Sequence, residues 1–119
     1  MPDSDRLEAL QAKLRAFVAE RDWDQFHTPK NLAMALVAEA GELVEHFQWL
    51  TPEQSAHLPA DARGEVELEI ADVLLFLLRL CDKLEIDPVS AAGKKLVLNA
   101  GRYPIAKAWG KATKHNKLS

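Results

Sequence analysis

The sequence is short of several things, and each shortage excludes a class of protein. It has a single cysteine, Cys81, so no disulfide can close within the chain. The opening residues, MPDSDRLEAL, lack the basic-then-apolar order of a secretory signal. With no mark of an oxidising compartment, a cytoplasmic protein is expected. Unbroken apolar runs such as Val73 to Leu78 fall far short of the roughly 20 residues needed to cross a bilayer, so no membrane span is expected. Positive charge is not in excess: a formal net charge of −3 with 28% charged residues describes an ordinary surface and disfavours nucleic-acid polymers as partners. At 119 residues there is room for one domain, which excludes a catalytic domain joined to a separate cofactor fold. No segment alternates with period two over a useful length, which removes a sheet from consideration.

What remains is 48% apolar residues, enough for a core, and clear helix punctuation. Asp5 with Glu8 resembles a capping box ahead of Leu7, Leu10, Leu14, Phe17 and Val18, which recur at helical spacing to about Arg21. Thr28-Pro29 opens a second helix, to about Leu50, and Thr51-Pro52-Glu53-Gln54 repeats the device for one short turn. Pro59 and Asp61 open a third long helix, from about Ala62 to Leu84. Asp87-Pro88 opens a fourth, ended by Gly101 and Pro104. The fold class expected is all-α, most simply a four-helix bundle with short connections. Leu74, Leu75, Phe76, Leu77 and Leu78 surround the third long helix with apolar side chains, which predicts a homo-oligomer.

Charge divides the chain. Residues 1–104 hold 11 Lys/Arg against 18 Asp/Glu, whereas residues 105–119 hold four lysines and no acid. The domain is therefore expected over 1–104, with a basic, mobile tail over 105–119.

Two acidic pairs stand out, Glu39 with Glu42 and Glu69 with Asp72, each spaced i, i+3 on a helix. At about 100° per residue, Glu39 lies only some 20–40° from Leu32 and Leu43, and Glu69 is equally close to Val73 and Leu80. Such pairs are common on solvated faces, but these border apolar stripes. If the stripes pack together, four carboxylates converge where each unpaired charge costs several kcal/mol. Divalent cations offset that cost, and oxygen-only ligation suits Mg²⁺ or Mn²⁺ rather than zinc. A di-iron bundle is disfavoured, because neither pair carries a histidine at the third position. Since Mg²⁺ commonly shares its shell with substrate phosphates, the pattern predicts a phosphorylated small molecule. On the fourth helix Lys95, Asn99 and Arg102, at i, i+4 and i+7, share a face that either complements the helix dipole or clamps a polyphosphate.

Glu39-x-x-Glu42, Glu69-x-x-Asp72 and Lys95-x-x-x-Asn99-x-x-Arg102-Tyr103-Pro104 resemble the signature of the all-α MazG-like nucleotide pyrophosphohydrolases. Flanking residues, among them Glu20-Arg21-Asp22-Trp23, Phe26-His27, Asn31-Leu32 and Phe47-Gln48-Trp49, are similar to its dCTP pyrophosphatase branch. The resemblance spans about residues 5–104. It implies Mg²⁺-dependent hydrolysis of a (deoxy)nucleoside triphosphate, dCTP or a modified dCTP first, to monophosphate and pyrophosphate, in a homotetramer with sites at subunit interfaces. The same reaction on dUTP or another non-standard triphosphate, and a catalytically silent interaction protein, are the alternatives. By resemblance Glu39, Glu42, Glu69 and Asp72 are metal ligands, with Glu42 also orienting or deprotonating the attacking water. Lys95 and Arg102 hold the triphosphate, Asn99 contacts sugar or phosphate, and Tyr103 belongs to the same motif. Trp23 and Trp49 match aromatics that sandwich a base, or else pack in the core or an interface. His27 and Lys30 adjoin the second helix's cap, where Lys30 either helps hold phosphate or lies on the surface. Leu14 and Phe76 stand where the branch has a histidine and a tyrosine, so the base pocket keeps shape but loses two hydrogen-bonding groups. Cys81 is expected to be a buried small hydrophobe.

Overall fold

The computed structural model describes residues 2–119, with side chains from Arg6 onward. In order it contains α1 (Pro2–Glu20), a 3₁₀ turn (Asp24–Phe26), α2 (Pro29–Glu45), α3 (Pro52–Ser55), α4 (Ala60–Leu84), α5 (Pro88–Arg102), α6 (Ile105–Ala108) and a last 3₁₀ turn (His115–Lys117). The described residues form no strand, as the missing period-two pattern predicts. None of their helices is long and apolar enough to cross a membrane.

Local hydrogen bonds set most boundaries. The Thr28 hydroxyl accepts from the Asn31 amide to start α2, with Pro29 at the first helical position. At α3 the box is reciprocal: Thr51 Oγ1 accepts from the Gln54 amide, and Gln54 Oε1 accepts from the Thr51 amide. The Asp87 carboxylate accepts from Val89 and Ser90 at the head of α5. Two ends differ from expectation. α1 already begins at Pro2, ahead of the Asp5–Glu8 box, and the Asp5 side chain lies outside the described residues. α2 stops at Glu45, because the amides of His46 and Phe47 bond to carbonyls only three residues back, a tightening that closes the helix before Leu50.

Two compact units are distinguished along the chain. One runs through Ile86 and a second from Asp87 to the C-terminus. In the first, α4 packs chiefly along α2 and less extensively against α1. Its buried apolar side chains are Val18, Leu32, Val66, Leu78 and Cys81, with Leu32 and Leu78 at 1% exposure. Each of those two leucines contributes about 1.5–3 kcal/mol of burial. The second unit holds α5, α6 and the residues expected to form a mobile tail. Those residues carry local structure: the His115 amide donates to Tyr103 Oη at 3.2 Å, and the two rings meet edge to face at 5.8 Å.

Candidate functional site

The packing of α2 along α4 decides which acids meet. Glu39 sits three turns into α2 and Glu69 and Asp72 lie near the middle of α4, all on the side where the two helices pack. One oxygen from each of the three carboxylates lies within 4.8 Å of the others. Glu39 and Glu69 are half-buried and Asp72 is exposed, so the cluster opens to solvent at one edge. Glu42, one turn beyond Glu39, is exposed, and its carboxyl neighbours that of Glu39.

The carboxylates stand in an electrostatically unfavourable setting. Glu39 Oε2 and Glu69 Oε2 are buried and have no hydrogen-bond partner, although buried polar atoms are nearly always satisfied. Loss of water around Glu39, with the neighbouring carboxyls of Glu69 and Glu42 and the charge of Asp72, pushes its carboxyl up to about 7. A divalent cation bound there would satisfy the orphaned oxygens and cancel the repulsion among the acids. Three carboxylates with no nitrogen or sulfur donor form the hard oxygen set that Mg²⁺, Mn²⁺ or Ca²⁺ prefers. The residues therefore fit such an ion.

The remaining sequence-predicted positions are placed as follows. Trp23 is 45% exposed and packs edge-on against Phe17 at 5.8 Å, while Trp49 is 86% exposed. Neither is a core residue. Lys30 is exposed in the first turn of α2, and Phe76 is half-buried one turn past Asp72. Lys95 and Arg102 are exposed and Asn99 is half-buried on α5, in the second unit. Tyr103 caps α5 and holds the His115 backbone.

A network that sequence reasoning missed surrounds His27. Arg79 of α4 is 5% exposed, and its guanidinium donates from Nε to His27 Nδ1 at 3.2 Å and from its two other nitrogens to Asp24 at 2.7 Å and Asp82 at 3.4 Å. Lys83 reaches Asp24 at 3.0 Å, and Arg15 of α1 grips Asp82 with two hydrogen bonds. Lys83 and Arg79 hold the Asp24 carboxyl below its ordinary range. The available signal was Arg79 itself, an arginine set between Leu78 and Leu80 on an apolar stripe, where a charge must find partners.

This chain is similar to proteins already characterised. The mouse and human proteins named dCTP pyrophosphatase 1 are each 39% identical to it, over 114 and 115 residues, spanning 94% of this chain and 67% of theirs. A crystal structure of a pyrophosphatase from Archaeoglobus fulgidus superposes with a TM-score of 0.79 at 44% identity, covering 83% of this chain and 93% of that one. Residues 34–118, which carry both acidic pairs and continue past 104 into the basic segment, match the MazG-like family, and the chain belongs to that family.

Proposed function

We propose that this protein is a cytoplasmic pyrophosphohydrolase that cleaves the α–β anhydride of a nucleoside triphosphate, dCTP or a modified dCTP first, releasing monophosphate and pyrophosphate. One observation carries the reading: Glu39, Glu69 and Asp72 converge with two buried, unpartnered oxygens, in a chain whose relatives are named dCTP pyrophosphatase 1. Mg²⁺, with Mn²⁺ able to replace it, is the ion this oxygen set would hold. When bound, such an ion neutralises charge that develops on phosphate oxygens and makes water a better nucleophile.

The chain's own groups do the rest. Glu39, Glu69 and Asp72 hold the ion, and Glu42, exposed beside them, adds a ligand and orients or deprotonates the attacking water. Lys95 and Arg102 bind the triphosphate, which concentrates positive charge where the leaving pyrophosphate gains negative charge. Asn99 contacts sugar or phosphate. Trp23 and Trp49 offer two exposed indoles to stack on a base, worth about 1–3 kcal/mol per base and tolerant of its identity. With Leu14 and Phe76 unable to hydrogen-bond, the pocket discriminates by shape, so other triphosphates are hydrolysed measurably. The working form is a homotetramer. Leu68, Ile70, Leu96 and Val97 are all more than half exposed, and an apolar surface on both units is characteristic of a protomer.

A panel of nucleoside triphosphates with Mg²⁺, followed for pyrophosphate release, tests the reaction, and light scattering tests the assembly. Orthophosphate as the product would refute α–β cleavage, a silent panel would refute the enzyme, and a stable monomer at micromolar concentration would refute the tetramer.

A further inference from the structure

Arg79 is the most deeply buried charge among the described residues, and beside its two carboxylate partners it also donates to a histidine. A guanidinium only donates, so the nitrogen that faces it must accept. His27 Nδ1 therefore carries a lone pair and no proton, and the ring's one proton sits on Nε2. The surrounding charges enforce this state. Among the described residues Arg79, Arg15 and Lys83 pair with Asp24 and Asp82, so a protonated His27 would be a fourth cation beside two carboxylates. Burial, and then the charge of Arg79, lower the His27 pKa, which favours the neutral ring. No described residue accepts a hydrogen bond from Nε2, and the ring is only half-buried.

We propose that Arg79 is a positioning residue that fixes His27 as the neutral Nε2–H imidazole, so that Nε2 donates to an acceptor on the nucleoside end of the substrate. The identity of that ligand rests on the nucleotide hydrolysis proposed above; the state of the ring does not. The nucleoside end follows from helix geometry. Arg79 lies seven residues past Asp72, or about 10 Å along α4 at about 1.5 Å per residue, and Thr28 lies eleven residues before Glu39, or about 16 Å along α2. A donor there is remote from a phosphorus atom held at the acids. The same clamp also fixes the turn that carries Trp23, because Asp24 is tied to both Arg79 and Lys83.

The ring state is read first in the unaltered protein by ¹⁵N-histidine NMR, with His27 assigned by its loss in His27→Phe. A protonated, pyrrole-type Nε2 and a pyridine-type Nδ1 are expected in the neutral ring at pH 8, with protonation shifted to lower pH than in a free imidazole. A proton on Nδ1, or titration near the ordinary value of about 6.5, overturns the proposal. Arg79→Met should yield a tautomer mixture if it folds, and the unaltered protein decides the question if it does not. In steady-state assays His27→Phe should raise the KM for dCTP about tenfold while changing kcat several-fold less. Inhibition by dCMP should weaken by the same factor, and inhibition by inorganic tripolyphosphate should stay unchanged. An unaltered KM, or weakened tripolyphosphate inhibition with dCMP unaffected, refutes the nucleoside contact. A protein that hydrolyses no triphosphate refutes the hydrolase instead, and the NMR spectrum still decides on Arg79.

Discussion

Adding Mg²⁺ to the metal-free protein should expel a proton at pH 6 and almost none at pH 8. The magnitude follows from Glu39, whose carboxyl is raised to about 7 by its removal from water and then by Glu69 and Glu42. A group with that value is about 90% protonated at pH 6 and about 10% at pH 8, so a cation that requires the carboxylate displaces about 0.9 and 0.1 protons. Calorimetric titration in pairs of buffers with different ionisation enthalpies counts those protons directly. Glu69→Gln should lower the count at pH 6 without abolishing it, because it removes the second cause of the shift and leaves the first, desolvation, in place. The same shift fixes the sign of the stability change. The folded state binds a proton that the unfolded chain, with a value near 4.5, has already lost, so Glu39 makes the metal-free protein less stable as pH rises from about 4.5 to 7. The contribution is level above that window, and a bound cation should remove it. A proton count that is zero at pH 6, or equal at the two pH values, would refute the convergence of these acids.

Three further outcomes are expected. Asp72→Ala and Glu42→Ala should each lower turnover by orders of magnitude while circular dichroism stays helical, and near-normal activity in both would remove the metal site from the mechanism. Leu78→Ala, at a side chain 1% exposed, should cost about 2–5 kcal/mol in urea denaturation, and a loss below ~1 kcal/mol would mean that the site collapses around the gap. Trp49→Ala should raise KM more than it lowers kcat, because stacking far from the reacting phosphorus binds ground and transition states alike; an unchanged KM would place the indole outside the base pocket.

Helix starts were legible in the sequence wherever their cause is local. Thr28, Thr51 with Gln54, and Asp87 each bond to amides two or three residues away, so the residue string contains the whole interaction. The α2 end was less legible, because Phe47, Trp49 and Leu50 continue the apolar pattern while the amides of His46, Phe47 and Leu50 turn back only three residues. The acids were legible as two i, i+3 pairs, since one helix sets that spacing. How closely the carboxylates come together was not: Glu39, Glu69 and Asp72 meet within 4.8 Å, and Glu42 neighbours Glu39.

The sequence by itself determined an all-helical chain with acidic pairs beside apolar stripes and an oxygen-only donor set. Those properties depend on period, capping and residue chemistry, all of which act over a few residues. Only the tertiary structure decided that Glu39 holds its proton near neutrality and that Glu39 and Glu69 each bury an unsatisfied oxygen. It also decided that Arg79 serves His27, Asp24 and Asp82 together. The contacts from Arg79 to His27 and from Arg15 to Asp82 join residues 52 and 67 positions apart. No local period encodes such a pairing, which exists only once α1, α2 and α4 have packed and removed these groups from water.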